Sequence, residues 1–210
     1  MARLPRLLAA AALAMLAGAC QTVATVDQPE GAVLALRGPI RAQTVDQIAR
    51  LVPTAPPDGR LVIALASGGG DFMSALEIAH RLEAIPYSTA LVTRECDSAC
   101  VVIFVAARER LVARDAVFAV HRPICTTPGL LGLPCRVFWE PWARREFHAR
   151  IARVAPRWAD YLDAQDPPAF ARSGADAVRV TGSQLIRFDA AAPLTRDAMN
   201  LALDGWAGSP

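Results

Sequence analysis

Leu61-Val62-Ile63-Ala64-Leu65-Ala66-Ser67-Gly68-Gly69-Gly70-Asp71 passes from a continuous apolar stretch directly into three glycines and an aspartate. A short run that apolar and that rich in branched side chains is a strand buried on both faces, the kind found in parallel sheets. Three successive glycines let the chain turn sharply and leave amide groups exposed. From Phe72 to Ala84 the apolar residues recur at helical spacing, so the segment reads as strand, turn and amphipathic helix. The same alternation extends outward. Ala32 to Leu36 is a predicted strand closed by Arg37-Gly38-Pro39, and Thr44 to Leu51 a predicted helix with Val45, Ile48 and Ala49 on one face. Downstream, Thr89 to Thr93 and Val117 to Val120 read as strands, Ser98 to Ala107 as a buried helix and Phe138 to Val154 as a helix. Pro123 to Pro134 carries few structural signals, and the remainder is short helical or mixed pieces broken at Pro156, Pro167-Pro168 and Gly174. Strands alternating with helices indicate parallel βα units and an α/β class.

The N-terminus has a different character. Arg3 and Arg6 precede an uncharged stretch from Leu7 to Leu16, followed by Ala17-Gly18-Ala19-Cys20. A basic start, a short apolar core and small residues before a cleavage point describe a secretory signal over residues 1–19. The stretch is short for a bilayer span. Small residues leading into Cys20 resemble the bacterial lipobox, which implies that Cys20 is lipidated and becomes the mature N-terminus. Gln21 after it implies the outer membrane of a Gram-negative bacterium, facing the periplasm. Residues 20–30 are polar and read as a tether, leaving 31–210 as one domain, a size that suits the 210-residue chain.

Composition narrows the function. All 22 basic residues are arginine. Removing Arg3 and Arg6 with the leader leaves 20, against 20 acidic residues that all follow Cys20. A formally neutral body has no electrostatic footprint for nucleic acid. Of the five cysteines, Cys96, Cys100, Cys125 and Cys135 remain after Cys20. An even number in an exported chain indicates disulfides. Cys125 and Cys135 bracket a loop rich in glycine and proline; Cys96 and Cys100 flank Ser98 and can meet at a helix start; pairing between the two sets is a further option. The spacings match no common zinc site, and no metal or cofactor is expected.

The candidate chemistry lies between the glycines and His121. Ser98 or Asp97 at a helix start reads first as an N-cap. Ser98 can equally be a nucleophile lifted onto a helix N-terminus, with the Ala99 amide as an oxyanion donor beside the glycine-turn amides. Such a serine needs a base, and a chain without lysine leaves histidine. His121 follows a short apolar strand; His80 lies on the helix from Phe72, and His148 lies among arginines, where packing or surface roles are expected. The Phe138–Val154 segment carries Trp139, Trp142 and Phe147, expected to pack on the core or a neighbouring subunit, with its arginines solvated.

From Leu61 to Pro123 the chain resembles the proteolytic subunit of the Clp protease and the wider crotonase-like superfamily. Ser67-Gly68-Gly69-Gly70 is similar to that family's Ser-Pro-Gly-Gly segment, with Gly68 in place of proline. Asp97-Ser98-Ala99 is similar to its nucleophile turn, and His121-Arg122-Pro123 to its His-x-Pro. The cysteines around Ser98 are similar to exported, periplasmic relatives. The resemblance implies a repeated ββα superhelix with helices packed on a mostly parallel sheet. It implies Ser98 as nucleophile, His121 as base, and Gly69 or Gly70 with Ala99 as oxyanion donors. The third, acidic member falls best on Asp176, with Asp163 and Asp166 as alternatives. The expected activity is an ATP-independent serine peptidase of the cell envelope acting on peptides or proteins, in a homo-oligomer, since relatives form rings or trimers. The other readings are a non-catalytic peptide- or protein-binding lipoprotein and acyl-CoA chemistry, the latter opposed by export.

Overall fold

A computed structural model describes residues 23–28, 31–51, 60–124 and 139–200. The leader, Cys20, Cys125, Cys135 and residues 201–210 lie outside the described residues.

Five parallel strands form the centre of the main sheet. They are β2 (Gly31–Arg37), β3 (Arg60–Ser67), β4 (Ser88–Cys96), β5 (Glu109–Val112) and the short β8 (Ala192–Pro193), side by side in that order. β1 (Val23–Gln28) pairs antiparallel with β2 along the outer edge. Residues 23–28 of the expected tether therefore form a strand. The β-branched residues of Val23-Ala24-Thr25-Val26 suit a strand, and pairing there covers backbone groups that β2 would otherwise present as an open edge. The α/β expectation holds: the sheet is mostly parallel and flanked by helices.

Three helices follow strands β2 to β4: α1 (Ala42–Leu51), α2 (Phe72–Glu83) and α3 (Ala99–Ala106). α2 buries Phe72, Ala75, Leu76, Ile78, Ala79 and Leu82, an i, i+3, i+4 stripe. Its N-cap, Asp71, accepts from the Ser74 amide at 2.7 Å and the Ser74 hydroxyl at 2.6 Å. α3 is buried at every position, as an all-apolar helix must be, and packs against α2 and α4 (Trp139–Val154). The core continues through Phe104, Phe118 and Trp158, in tilted and edge-to-face contact at ring separations of 5.0 and 6.2 Å. Trp158 lies on α5 (Pro156–Asp163) and Phe118 on β6 (Val117–Val120).

β4 is longer than its sequence suggested. The polar Arg94-Glu95 looks like a strand end, yet both residues are exposed where β4 runs past the main sheet. There Glu95 pairs with Val117 of β6, and Cys96 with Ser67 after a register shift in β3. β6 in turn pairs antiparallel with β7 (Val178–Thr181). A capping box between Thr181 and Gln184 then opens α6 (Gly182–Arg187). The extension of β4 and the start of β6 bring the serine turn and the histidine strand together.

The arginines of α4 are not all solvated. Arg150 is 3% exposed. It donates to Glu146 and Glu83, each at 2.8 Å, and meets His80 Nε2 at 2.7 Å. Its partners sit one turn away and on α2, so burial is offset by charge-assisted hydrogen bonds. Phe147 is buried as expected, whereas Trp142 is exposed at one edge of Phe72.

Candidate active site

The glycine turn is shaped by two close approaches. Gly69 has φ +95°, and a Cβ there would fall 2.7 Å from the Asp97 carbonyl oxygen and 2.9 Å from Ser98 Cβ. Gly70 has φ +145°, and a Cβ would collide with the Ile40 carbonyl. Only glycine fits either position. Ile40 donates to the Gly69 carbonyl and accepts from the Asp71 amide, both at 2.9 Å, so the bridge between Ile40 and Gly70 leaves the Gly70 N–H pointing away. Ser67, fully buried, donates to the Gly38 carbonyl at 2.6 Å and accepts from the Gly69 amide at 3.1 Å.

This sorts the oxyanion candidates. The Gly69 amide is engaged by Ser67, and Gly69 serves as the close-packing residue beneath Ser98. The amides of Gly70 and Ala99 have no hydrogen-bond partner among the described residues. Both residues line the cavity described below.

Ser98 occupies the N-cap position of α3 but makes no capping bond. Its φ is +53° with ψ −121°, outside the regions an L side chain ordinarily occupies. The Ser98 amide donates to the Ala119 carbonyl at 2.7 Å, and the Ser98 carbonyl accepts from Val101 at 3.0 Å. The hydroxyl is unpartnered among the described residues. Asp97 does not cap the helix either: its Oδ1 accepts from the Ala119 amide at 2.8 Å. Burial pushes the Asp97 carboxyl above the ordinary aspartate range; the Ala119 N–H opposes this, Glu95 adds to it, and Arg179 and His121 oppose it. A disulfide joins Cys96 to Cys100 across the turn, both residues fully buried.

His121 leaves the end of β6 half-buried. Its Nδ1 lies 2.8 Å from the Arg122 carbonyl oxygen. A carbonyl only accepts, so the proton of the neutral ring resides on Nδ1 and the lone pair on Nε2. Ser98, Ala99, Gly70 and His121 line one cavity of about 480 Å³, completed by Ile40, Arg41, Asp71, Phe72, Ile124, Phe147 and prolines 39 and 123. Ile40, Phe72, Phe147 and Ile124 supply apolar surface to the wall.

No hydrogen bond joins His121 to any of the acids expected to orient it. Asp176 is exposed and accepts from the Ser173 hydroxyl at 2.8 Å. Asp163 meets His148 Nε2 at 2.8 Å. The Asp166 backbone carbonyl accepts from Arg172 at 2.9 Å. The segment carrying Asp176 does approach the site: a Cβ on Gly174 would lie 3.6 Å from His121 Cε1, and the Arg122 amide donates to the Arg172 carbonyl at 3.2 Å. The histidine's orienting partner is a backbone carbonyl, which no side-chain pattern signals. His80 is engaged by Arg150 and His148 by Asp163, leaving His121 as the histidine that lines the cavity with Ser98. No group of three or more metal-ligating side chains occurs among the described residues.

No protein-family profile and no curated protein matches the chain. Among solved structures, a ClpP1 mutant from Listeria monocytogenes is similar, with a TM-score of 0.64 at 14% identity, covering 80% of this chain and 94% of that one. At that identity the likeness shows the fold, which is ClpP-like.

Proposed function

We propose that this protein is a serine hydrolase of the peptidase type, with Ser98 as nucleophile and His121 as general base. One observation carries the reading. An unpartnered serine hydroxyl in a strained turn shares a cavity with a histidine whose Nδ1–H is held by a carbonyl, leaving Nε2 as the available base. His121 Nε2 would take the Ser98 hydroxyl proton as Oγ attacks a peptide carbonyl. The oxyanion would be met by the Gly70 and Ala99 amides, the latter at the positive end of α3. The protonated His121 would then deliver its proton to the leaving amine, and water would hydrolyse the acyl-enzyme by the reverse sequence. The Arg122 carbonyl takes the orienting part that a carboxylate has in other serine enzymes. The apolar wall suits a substrate side chain, consistent with peptides or proteins as substrates.

The test is fluorophosphonate labelling of the purified protein, read by mass spectrometry. Modification at Ser98, lost in Ser98→Ala and slowed in His121→Ala, supports the reading. Folded protein that cleaves no peptide and takes no label at Ser98 overturns it. That result would favour the non-catalytic binding module, a reading to which the absence of a carboxylate on His121 among the described residues lends weight.

The cellular setting belongs to the same proposal. The leader, Cys20 and Gln21 support export and lipid anchoring to the outer membrane, and the Cys96–Cys100 disulfide suits an oxidising compartment. An envelope location separates the chain from ATP, so the peptidase would work without an unfoldase, as a homo-oligomer by resemblance to Clp relatives.

A further inference from the structure

Ala119 stands two residues before His121 on β6, and it is buried. Both of its backbone groups are directed at the serine turn: its N–H donates to Asp97 Oδ1 at 2.8 Å, and its carbonyl accepts from the Ser98 amide at 2.7 Å. One such bond would act as a pivot; two fix both separation and rotation of the histidine strand relative to the turn. Asp97 is itself anchored. Its N–H donates to the Ser67 carbonyl at 2.9 Å, and its own carbonyl accepts from Cys100 at 3.0 Å. A single aspartate thereby joins the end of β3, the first turn of α3 and β6. Neither carboxylate oxygen bonds to Ser98 Oγ or to His121.

We infer that Asp97 is a positioning residue that holds the His121-bearing strand in register with the Ser98 nucleophile. The inference rests on the serine-hydrolase reading. Without the carboxylate, the buried Ala119 N–H loses its partner, and the Ser98–Ala119 bond is left beside the Glu95–Val117 pairing to hold β6 against the turn. The ionisable and charged groups around Asp97 are Glu95 on β4, Arg179 on β7 and His121, and burial biases the carboxyl toward its neutral form. A protonated carboxyl still accepts through Oδ1, so the contact does not require charge. An asparagine amide oxygen can therefore replace it, and an alanine cannot.

The experiment compares wild type, Asp97→Ala and Asp97→Asn in fluorophosphonate labelling rate at Ser98, with hydrogen exchange of the Ala119 amide measured in each. Asp97→Ala should label on the order of 100-fold more slowly, and Asp97→Asn should recover to within about 5-fold of wild type, as expected for a lost and restored geometry. The Ala119 amide should be protected in wild type and Asp97→Asn and exchange rapidly in Asp97→Ala. Wild-type labelling rates in Asp97→Ala overturn the inference, as does an Asp97→Asn protein labelling more than about tenfold slowly with the Ala119 amide still protected. The asparagine comparison stands alone if Asp97→Ala does not fold. Wild-type protein that takes no label at Ser98 overturns the hydrolase reading instead, an outcome distinct from labelling that is indifferent to Asp97.

Discussion

Holding a non-glycine residue at positive φ costs on the order of 1–3 kcal/mol, and at Ser98 the neighbours that impose it are identifiable. The Ser98 amide is fixed to Ala119, the Asp97 amide to Ser67, and the Cys96–Cys100 disulfide closes the turn around both. The hydroxyl is thereby raised clear of its own helix, beside the unpartnered Ala99 amide. At His121, the Arg122 carbonyl on Nδ1 makes a specific prediction about the acid. Asp176→Asn should lower peptidase activity less than about tenfold, far short of the ~10⁴-fold loss that follows removal of a triad carboxylate; steady-state kinetics beside His121→Ala decides it. Asp97 predicts a pH effect on stability. Its carboxyl binds a proton more tightly in the folded protein than at the ordinary value of 3.8. Folded protein then holds more protons than unfolded protein just above that pH, so this group's contribution is fully present below 3.8 and declines as pH rises through the raised folded value. Asp97→Asn does not titrate. Its stability relative to wild type should therefore improve as pH rises across that window, and urea titrations at successive pH values should show wild-type stability minus variant stability falling upward from 3.8.

At the scale of elements, the strand–glycine–helix grammar was legible because it is local. β3 is apolar from Leu61 to Ala66, α2 repeats at helical spacing, and α3 is apolar all round, so burial and spacing alone place them. The extension of β4 was hidden because Arg94 and Glu95 face solvent while their backbone still pairs. The site was half legible for a similar reason. Ser98, His121 and the glycines belong to short patterns, whereas the Arg122 carbonyl and the Asp97–Ala119 bond involve backbone groups that every residue carries. The burial of Arg150 is not legible in the sequence, because helical position does not reveal a neighbour on another helix. Arg150 joins α4 to α2, with 4% of its side chain exposed and its carboxylate partners about a third exposed. Arg150→Ala should destabilise the protein by about 3 kcal/mol, the low end for a broken buried pair because water reaches Glu83 and Glu146. Chemical denaturation measures it. The disulfide closes a very short loop, so the Cys96→Ala/Cys100→Ala double variant should lose about 2 kcal/mol on the chain-entropy estimate, and Ser98 labelling should slow with it as the turn relaxes.

Across the whole molecule, the ClpP-like sheet explains how residues distant in the chain converge, and the N-terminal sequence addresses where that convergence would operate. The segments bordering the cavity start at the C-terminal ends of parallel strands: Ile40 after β2, Gly70 after β3, Ser98 after β4. That is where an α/β sheet places its ligand sites. No helix among the described residues is long and apolar enough to cross a membrane. The membrane connection proposed above is the one through Cys20, outside those residues. One acyl chain gives only marginal binding, so stable anchoring needs the several chains a lipidated N-terminal cysteine carries. The lipoprotein reading thus makes a sharp prediction for the full chain expressed in a Gram-negative host. Wild-type protein should incorporate labelled palmitate and sediment with outer membranes. Cys20→Ser should incorporate none and should leave the membrane fraction, while the Cys96–Cys100 disulfide still forms if the variant is exported. Wild-type protein without label, or Cys20→Ser remaining with the membrane, would rule out lipid attachment at Cys20 as the anchor and would leave the exposed Arg144 and Arg145 of α4 to test next against anionic vesicles.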